Sequence, residues 1–212
     1  IGRDGVTQMG LEDLSLMRSL PNMVVLNPAT YNEAKSIVKY LSEKDLETPH
    51  YLRLGRQPVE EVFEDGYDFT FHKGQVIEDG SDVALFSTGC VLPDVIHAAK
   101  TLQSKGISAA VINMATIKPI DKEIILKYAE RCRRIFTVED HSIIGGLGTA
   151  TAEVLAESGI SCKLTRIGLD DVFPESGLPS DLYEKYGLSR NQIKQMSNDE
   201  FSVLLLRPKQ VL

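Results

Sequence analysis

The chain has 212 residues, 42% hydrophobic and 25% charged, a composition that builds a packed globular core and excludes disorder over most of its length. A formal net charge of −7 repels phosphate backbones and anionic lipid heads, which excludes nucleic acid and membrane surfaces as natural partners. Cys90, Cys132 and Cys162 lack the paired spacing of a zinc site or a disulfide framework, and no apolar run approaches the roughly 20 residues that span a bilayer, so a cytoplasmic protein is expected.

The opening, Ile1-Gly2-Arg3-Asp4-Gly5, is a glycine-rich loop that runs at once into a predicted helix over Glu12 to Leu20. This predicts a chain that begins inside a domain. Pro21-Asn22 breaks the helix before a short buried strand, Met23 to Leu26. From Thr30 the apolar residues Ala34, Ile37, Val38 and Leu41 recur at i, i+3, i+4 and i+7, an amphipathic helix that closes near Lys44. A second strand follows Pro49, over Tyr51 to Leu54. The order helix, strand, helix, strand fits the later part of an open parallel sheet.

Residues 57–75 lose this pattern. They hold Gln57-Pro58, the acids Glu60, Glu61, Glu64, Asp65 and Asp68, and Gly66 and Gly74, the character of a linker. Beyond it strands are predicted at Val83 to Ser87, Ser108 to Ile112, Arg134 to Val138 and Cys162 to Ile167. Between them lie helices Leu92 to Ser104, Lys122 to Glu130 and Gly146 to Glu157, with short helices at Asp181 to Tyr186 and Arg190 to Met196. The predicted fold is α/β: two three-layer domains with mainly parallel sheets, over 1–56 and 76–212, the first incomplete at its N-terminus.

Four groups of residues carry chemistry. Gly145-Gly146-Leu147-Gly148 is a partial dinucleotide fingerprint, with Thr151 where the third glycine would stand; a structural turn that lets helix and strand pack closely accounts for it better. Glu139-Asp140-His141 lies at a strand's C-terminal end, where an acid beside a histidine can act as a general base; capping of the next helix is the competing role, and His141 stays a secondary candidate. Arg53 and Arg56 could clamp a phosphate or could pair with the acidic linker. Asp4-Gly5-Val6-Thr7-Gln8 offers an acid, a hydroxyl and an amide to a hydroxylated ligand. His50, His72 and His97 are isolated, and no cluster has metal-ligand spacing.

In order, the run Asp4 to Leu14, the run Met17-Arg18-Ser19-Leu20-Pro21-Asn22-Met23 and the run Tyr51-Leu52-Arg53-Leu54-Gly55-Arg56 resemble the pyrimidine-binding domain of transketolase. Val111 to Asp121 and Glu139 to Gly148 resemble the transketolase C-terminal domain. The similarity reaches about Met196 and is nearest to split transketolases, in which a C-terminal subunit carries these two domains and an N-terminal subunit binds the cofactor's diphosphate.

The resemblance implies a thiamine diphosphate enzyme, with a divalent metal such as magnesium, that moves a two-carbon ketol unit between sugar phosphates. It implies that Asp4 bonds a hydroxyl of the donor sugar and that Arg56 grips the substrate phosphate. Gln8 stands where the family places a substrate-contacting histidine, so a neutral amide replaces a group that can become a cation. Catalytic, cofactor-binding and metal-binding residues are not expected in this chain: the catalytic glutamate is expected upstream of Ile1. The expected partners are therefore an N-terminal section, a second copy through the C-terminal domain, and sugar phosphates. Two alternatives remain open. Deoxyxylulose-phosphate synthase and the beta subunits of 2-oxo-acid dehydrogenases share the architecture, and a non-catalytic dimerisation module is the alternative of another class.

Overall fold

The computed structural model describes residues 2, 3, 5, 7–44, 47–132 and 134–193. Helix α1 (Asp13–Ser19), strand β1 (Val24–Leu26), helix α2 (Tyr31–Glu43) and strand β2 (His50–Leu52) form the first part. Next come β3 (Gln75–Glu78), β4 (Val83–Thr88), a 3-10 turn (Gly89–Val91) and α3 (Leu92–Ser104). The rest is β5 (Ala109–Asn113), β6 (Thr116–Lys118), α4 (Lys122–Arg131), β7 (Arg134–Ser142), α5 (Leu147–Ser158), β8 (Lys163–Leu169) and α6 (Pro179–Lys185).

The larger sheet has the order β3-β5-β4-β7-β8, with β4, β5, β7 and β8 mutually parallel and β3 antiparallel at one edge. Period-two alternation assigns its two faces. Val83, Leu85, Ala109, Val111, Phe136 and Val138 pack with Val95, Ala99 and Leu102 of α3. Ala84, Phe86, Ala110, Ile112 and Ile135 pack with Ile125 and Tyr128 of α4 and with Leu147 and Val154 of α5. Both faces are thus covered, which is why these strands read as continuous apolar runs. Asp121 starts α4, its Oδ1 accepting from the Ile124 amide at 3.4 Å, and Gly159 at φ 71° ends α5.

The α/β architecture with helix-flanked sheets agrees with the sequence-based expectation, and three local features differ. Gln75, placed in the linker from sequence, opens β3, whose Gln75-Val76-Ile77-Glu78, two polar residues around two apolar ones, makes a half-exposed edge. Thr116–Lys118 forms β6, which leaves the larger sheet and pairs antiparallel with β1 in the small sheet β2-β1-β6. Three residues carry too short a pattern to be seen without a partner. The two parts also share a core, since Val25 of β1 and Leu14 of α1 join the apolar cluster under α4 and α5. Residues 194–212, with the second half of the Arg190 to Met196 helix and the Val203-Leu204-Leu205-Leu206 run, lie outside the described residues.

Candidate functional site

The loop leading into α1 meets the C-terminal ends of β2 and β7 and the turn after β4, where open parallel sheets present functional groups. They enclose a cleft of about 490 Å³, lined among others by Arg3, Gln8, Asp13, Tyr51, Arg53, Arg56, Gln57, Cys90 and Asp140. Two of the sequence-predicted residues, Gln8 and Arg56, are exposed and share this cleft. Asp4 lies outside the described residues.

Arg53 belongs to the cleft's floor. It pairs neither with Glu60 and Glu61 nor with the other linker acids as one reading of the sequence had it: Nη1 donates to Asp140 Oδ1 at 2.6 Å, and Nε lies 3.1 Å from Asp13 Oδ2. Nη2 donates to the carbonyls of Gly10 at 2.7 Å and Asp140 at 3.1 Å. Burial opposes the guanidinium's charge, but Asp140 and Asp13 outweigh it and push its pKa up. Tyr51 donates its hydroxyl to Asp13 Oδ2 at 2.7 Å, and burial with that bond raises its pKa to about 12. Tyr183 donates to Asp140 Oδ2 at 3.3 Å and accepts from Gln57 Nε2 at 2.9 Å. Sequence reasoning missed Asp13, Tyr51 and Tyr183, whose partners lie tens of residues away.

His141 does not line the cleft. Its ring is fully buried, with Nδ1 donating to the Ser142 carbonyl at 2.7 Å and Nε2 accepting the Ser15 amide at 3.4 Å. These contacts fit the neutral tautomer protonated on Nδ1, and burial lowers the pKa in the same sense. The ring fastens α1 to the larger sheet. Arg18 adds to that docking, through Nη1 to the Gly145 carbonyl at 2.5 Å and an ion pair with Glu153 at 2.6 Å.

Glu139 caps α5. Its carboxylate accepts the amides of Leu147 at 2.7 Å and Gly148 at 2.8 Å, and burial pushes its pKa up to about 7 against those two bonds. The anion that the glycine turn cradles is therefore internal. A Cβ on Gly146 would sit 1.9 Å from Glu139 Oε2, and one on Gly145 would sit 1.9 Å from Ser15 Oγ. These glycines serve close packing. With those amides taken, the glycine turn does not fit the diphosphate of a thiamine cofactor, and no cluster of His, Cys, Asp or Glu able to hold a metal occurs among the described residues. No helix among the described residues is long and apolar enough to cross a membrane.

Comparison with known proteins agrees with this architecture. The family described as transketolase, C-terminal domain, matches residues 72–193, and that described as transketolase, pyrimidine binding domain, matches residues 1–61. A transketolase C-terminal section of Methanocaldococcus jannaschii is 42% identical over 202 residues, covering 94% of this chain and 62% of that protein. A 1-deoxy-D-xylulose-5-phosphate synthase of Desulforudis audaxviator is 34% identical, over 94% of this chain and 32% of its own length. Among solved structures, a split gene transketolase described as an inactive beta4 tetramer superposes with a TM-score of 0.87 at 40% identity, over 93% of this chain and 64% of that one. The chain thus spans less than two thirds of the length of these relatives. With both domain families matched in order and the same fold at 40% identity, the chain belongs to the transketolase family.

Proposed function

We propose that the chain is the C-terminal section of a cytoplasmic, two-part transketolase that moves a two-carbon ketol unit between sugar phosphates. In this reading residues 1–56 are the later part of the pyrimidine-binding domain, 57–75 the connector and 76–212 the C-terminal domain. Thiamine diphosphate and a divalent metal act in the complete enzyme and are held chiefly by an N-terminal section, without which this chain does not catalyse. The cofactor supplies the carbanion chemistry of ketol transfer.

The single observation that carries the reading is the cleft shared by Gln8 and Arg56, one a neutral amide and one a cation. Arg56 offers a planar fork matched to phosphate oxygens, and Gln8 offers an amide to sugar hydroxyls. Asp4, on the same loop, bonds a further hydroxyl of the donor. A neutral Gln8 cannot stabilise developing negative charge as a protonated histidine would, so it shapes donor preference instead.

Mixing the chain with a candidate N-terminal section, thiamine diphosphate and magnesium, and assaying transfer from a ketose phosphate to an aldose phosphate, tests the function. Transfer by the mixture and by neither part alone is expected. A second reading, deoxyxylulose-phosphate synthesis, is favoured by the 34% identical synthase; carbon dioxide release from pyruvate by the same mixture, without ketol transfer, would select it.

A further inference from the structure

The segment that carries Arg56 is held by the larger domain at three alternate positions. Arg53, three residues before it, donates to Asp140 at the end of β7. Gly55, directly before it, lies so close to Cys90 that a Cβ would stand 2.0 Å from the thiol sulfur. Gln57, directly after it, donates its amide to the Tyr183 hydroxyl of α6 at 2.9 Å. Leu54 and Arg56, the intervening residues, are exposed. The two polar anchors converge, because Tyr183 passes its own hydrogen to the second oxygen of the Asp140 carboxylate whose first oxygen holds Arg53.

Tyr183 is buried with Leu188 and Ile193 in the apolar cluster beneath α3. A phenylalanine would fill the same space. The hydroxyl's two bonds join Gln57 to Asp140, and a buried hydroxyl is retained at a cost unless its bonds are made.

We propose that Tyr183 and Asp140 are positioning residues for Arg56: by tying Gln57 and Arg53 to one carboxylate, they hold the intervening turn so that the Arg56 fork faces the cleft. The proposal rests on the reading of Arg56 as the phosphate-gripping residue. It gives the C-terminal domain a part in substrate selection, since both anchors come from β7 and α6. A fork needs its two donors aimed together, so loosening the turn weakens an anion more than it weakens a neutral ligand.

The test uses the full chain labelled with 15N-arginine and titrated with inorganic phosphate, following the arginine Nε–Hε signals. The wild type is compared with Arg56→Ala, Tyr183→Phe, Gln57→Leu and the Tyr183→Phe/Gln57→Leu double variant. Gln57→Leu removes one hydrogen bond and Tyr183→Phe removes two, the Gln57 bond among them, so phosphate affinity is expected to fall about three- to tenfold in each, with the double variant no worse than Tyr183→Phe alone. A residue serving only stability would lower the melting temperature and leave phosphate affinity unchanged.

Affinity within about twofold of wild type in both single variants, while Arg56→Ala abolishes binding, would overturn the positioning role and leave Arg56 in place. Retained affinity in Arg56→Ala, or no phosphate response in the wild type, would instead remove the reading of Arg56 itself, and the proposal with it. If Tyr183→Phe fails to fold, Gln57→Leu cuts the same link from the loop side. In the assembled enzyme the same variants are expected to raise KM for fructose 6-phosphate and leave KM for the unphosphorylated ketose erythrulose unchanged.

Discussion

Arg53 and Asp140 lie 87 residues apart in sequence and 2.6 Å apart in space, their side chains 14% and 8% exposed. The pair joins the end of β2 to the end of β7, and β6 pairs onto β1, so contacts of both kinds link the two family domains. An ion pair this dry contributes through what its loss would leave behind, an uncompensated buried charge.

Arg53→Ala strands the carboxylates of both Asp13 and Asp140 and is therefore expected to destabilise the chain by about 3–5 kcal/mol, and Asp140→Ala, which leaves Arg53 its Asp13 partner, by less. The double variant should fall well short of their sum, because the second deletion removes a charge the first has stranded. Urea unfolding of the three variants checks this; additive losses would mean that the two residues act independently.

Gly146→Ala drives a methyl group into the Glu139 carboxylate, which cannot retreat without dropping the Leu147 and Gly148 amides. A loss of about 1–3 kcal/mol is expected, as for other overpacked sites. Gly106→Ala is the control, at a glycine of positive φ with nothing near its Cβ, and separates backbone strain from collision. Thermal unfolding with the larger loss at 106 would contradict the packing role of the turn.

Glu33 is buried in α2, accepting the Ala29 amide at 2.7 Å and the Asn113 side-chain amide at 2.6 Å. Burial raises its pKa from 4.5 to about 7 against those two bonds, with the Glu61 charge adding to the rise. The folded chain thus binds this proton more tightly than the unfolded one. Its contribution to stability is complete below pH 4.5 and is lost as pH rises through about 7, and Glu139 acts in the same sense. Glu33→Gln should flatten the decline in stability across that window, which chemical denaturation at several pH values measures; an unchanged decline would show that Glu33 does not titrate there.

Arg56→Ala in the assembled enzyme is expected to weaken phosphorylated substrates by about ten- to a hundredfold, the loss of hydrogen bonds to a charged group, and unphosphorylated ones little. Steady-state kinetics on both substrate kinds decides it. Equal losses would sink the phosphate role.

We expect a homodimer built across the C-terminal domains about a two-fold axis, since apolar side chains such as Phe173, 81% exposed, and Ile144, 55% exposed, stay uncovered in the single chain. Light scattering over a dilution series checks it. A particle that stays near 23.4 kDa would refute the dimer.

Much of the fold was legible because its signals are local. The period-3.6 apolar stripe of α2, Asp121 before α4, and the apolar runs Val83 to Phe86 of β4 and Ala109 to Ile112 of β5 each state their element within a few residues. Among the candidate residues that line the cleft, Gln8 and Arg56 drew notice as an amide on a polar loop and an arginine after a strand, while their expected roles came from ordered runs that resemble transketolase; spacing alone left the arginines undecided. Tertiary structure decided the rest, because the deciding interactions join distant segments. It gave the glycine turn a carboxylate of its own chain, withdrew His141 from the cleft to pin α1, and assigned Arg53 to Asp13 and Asp140. It also sent β6 to β1 and aimed the Tyr183 hydroxyl at Gln57, since a buried polar group takes whichever partner the packed chain brings within reach.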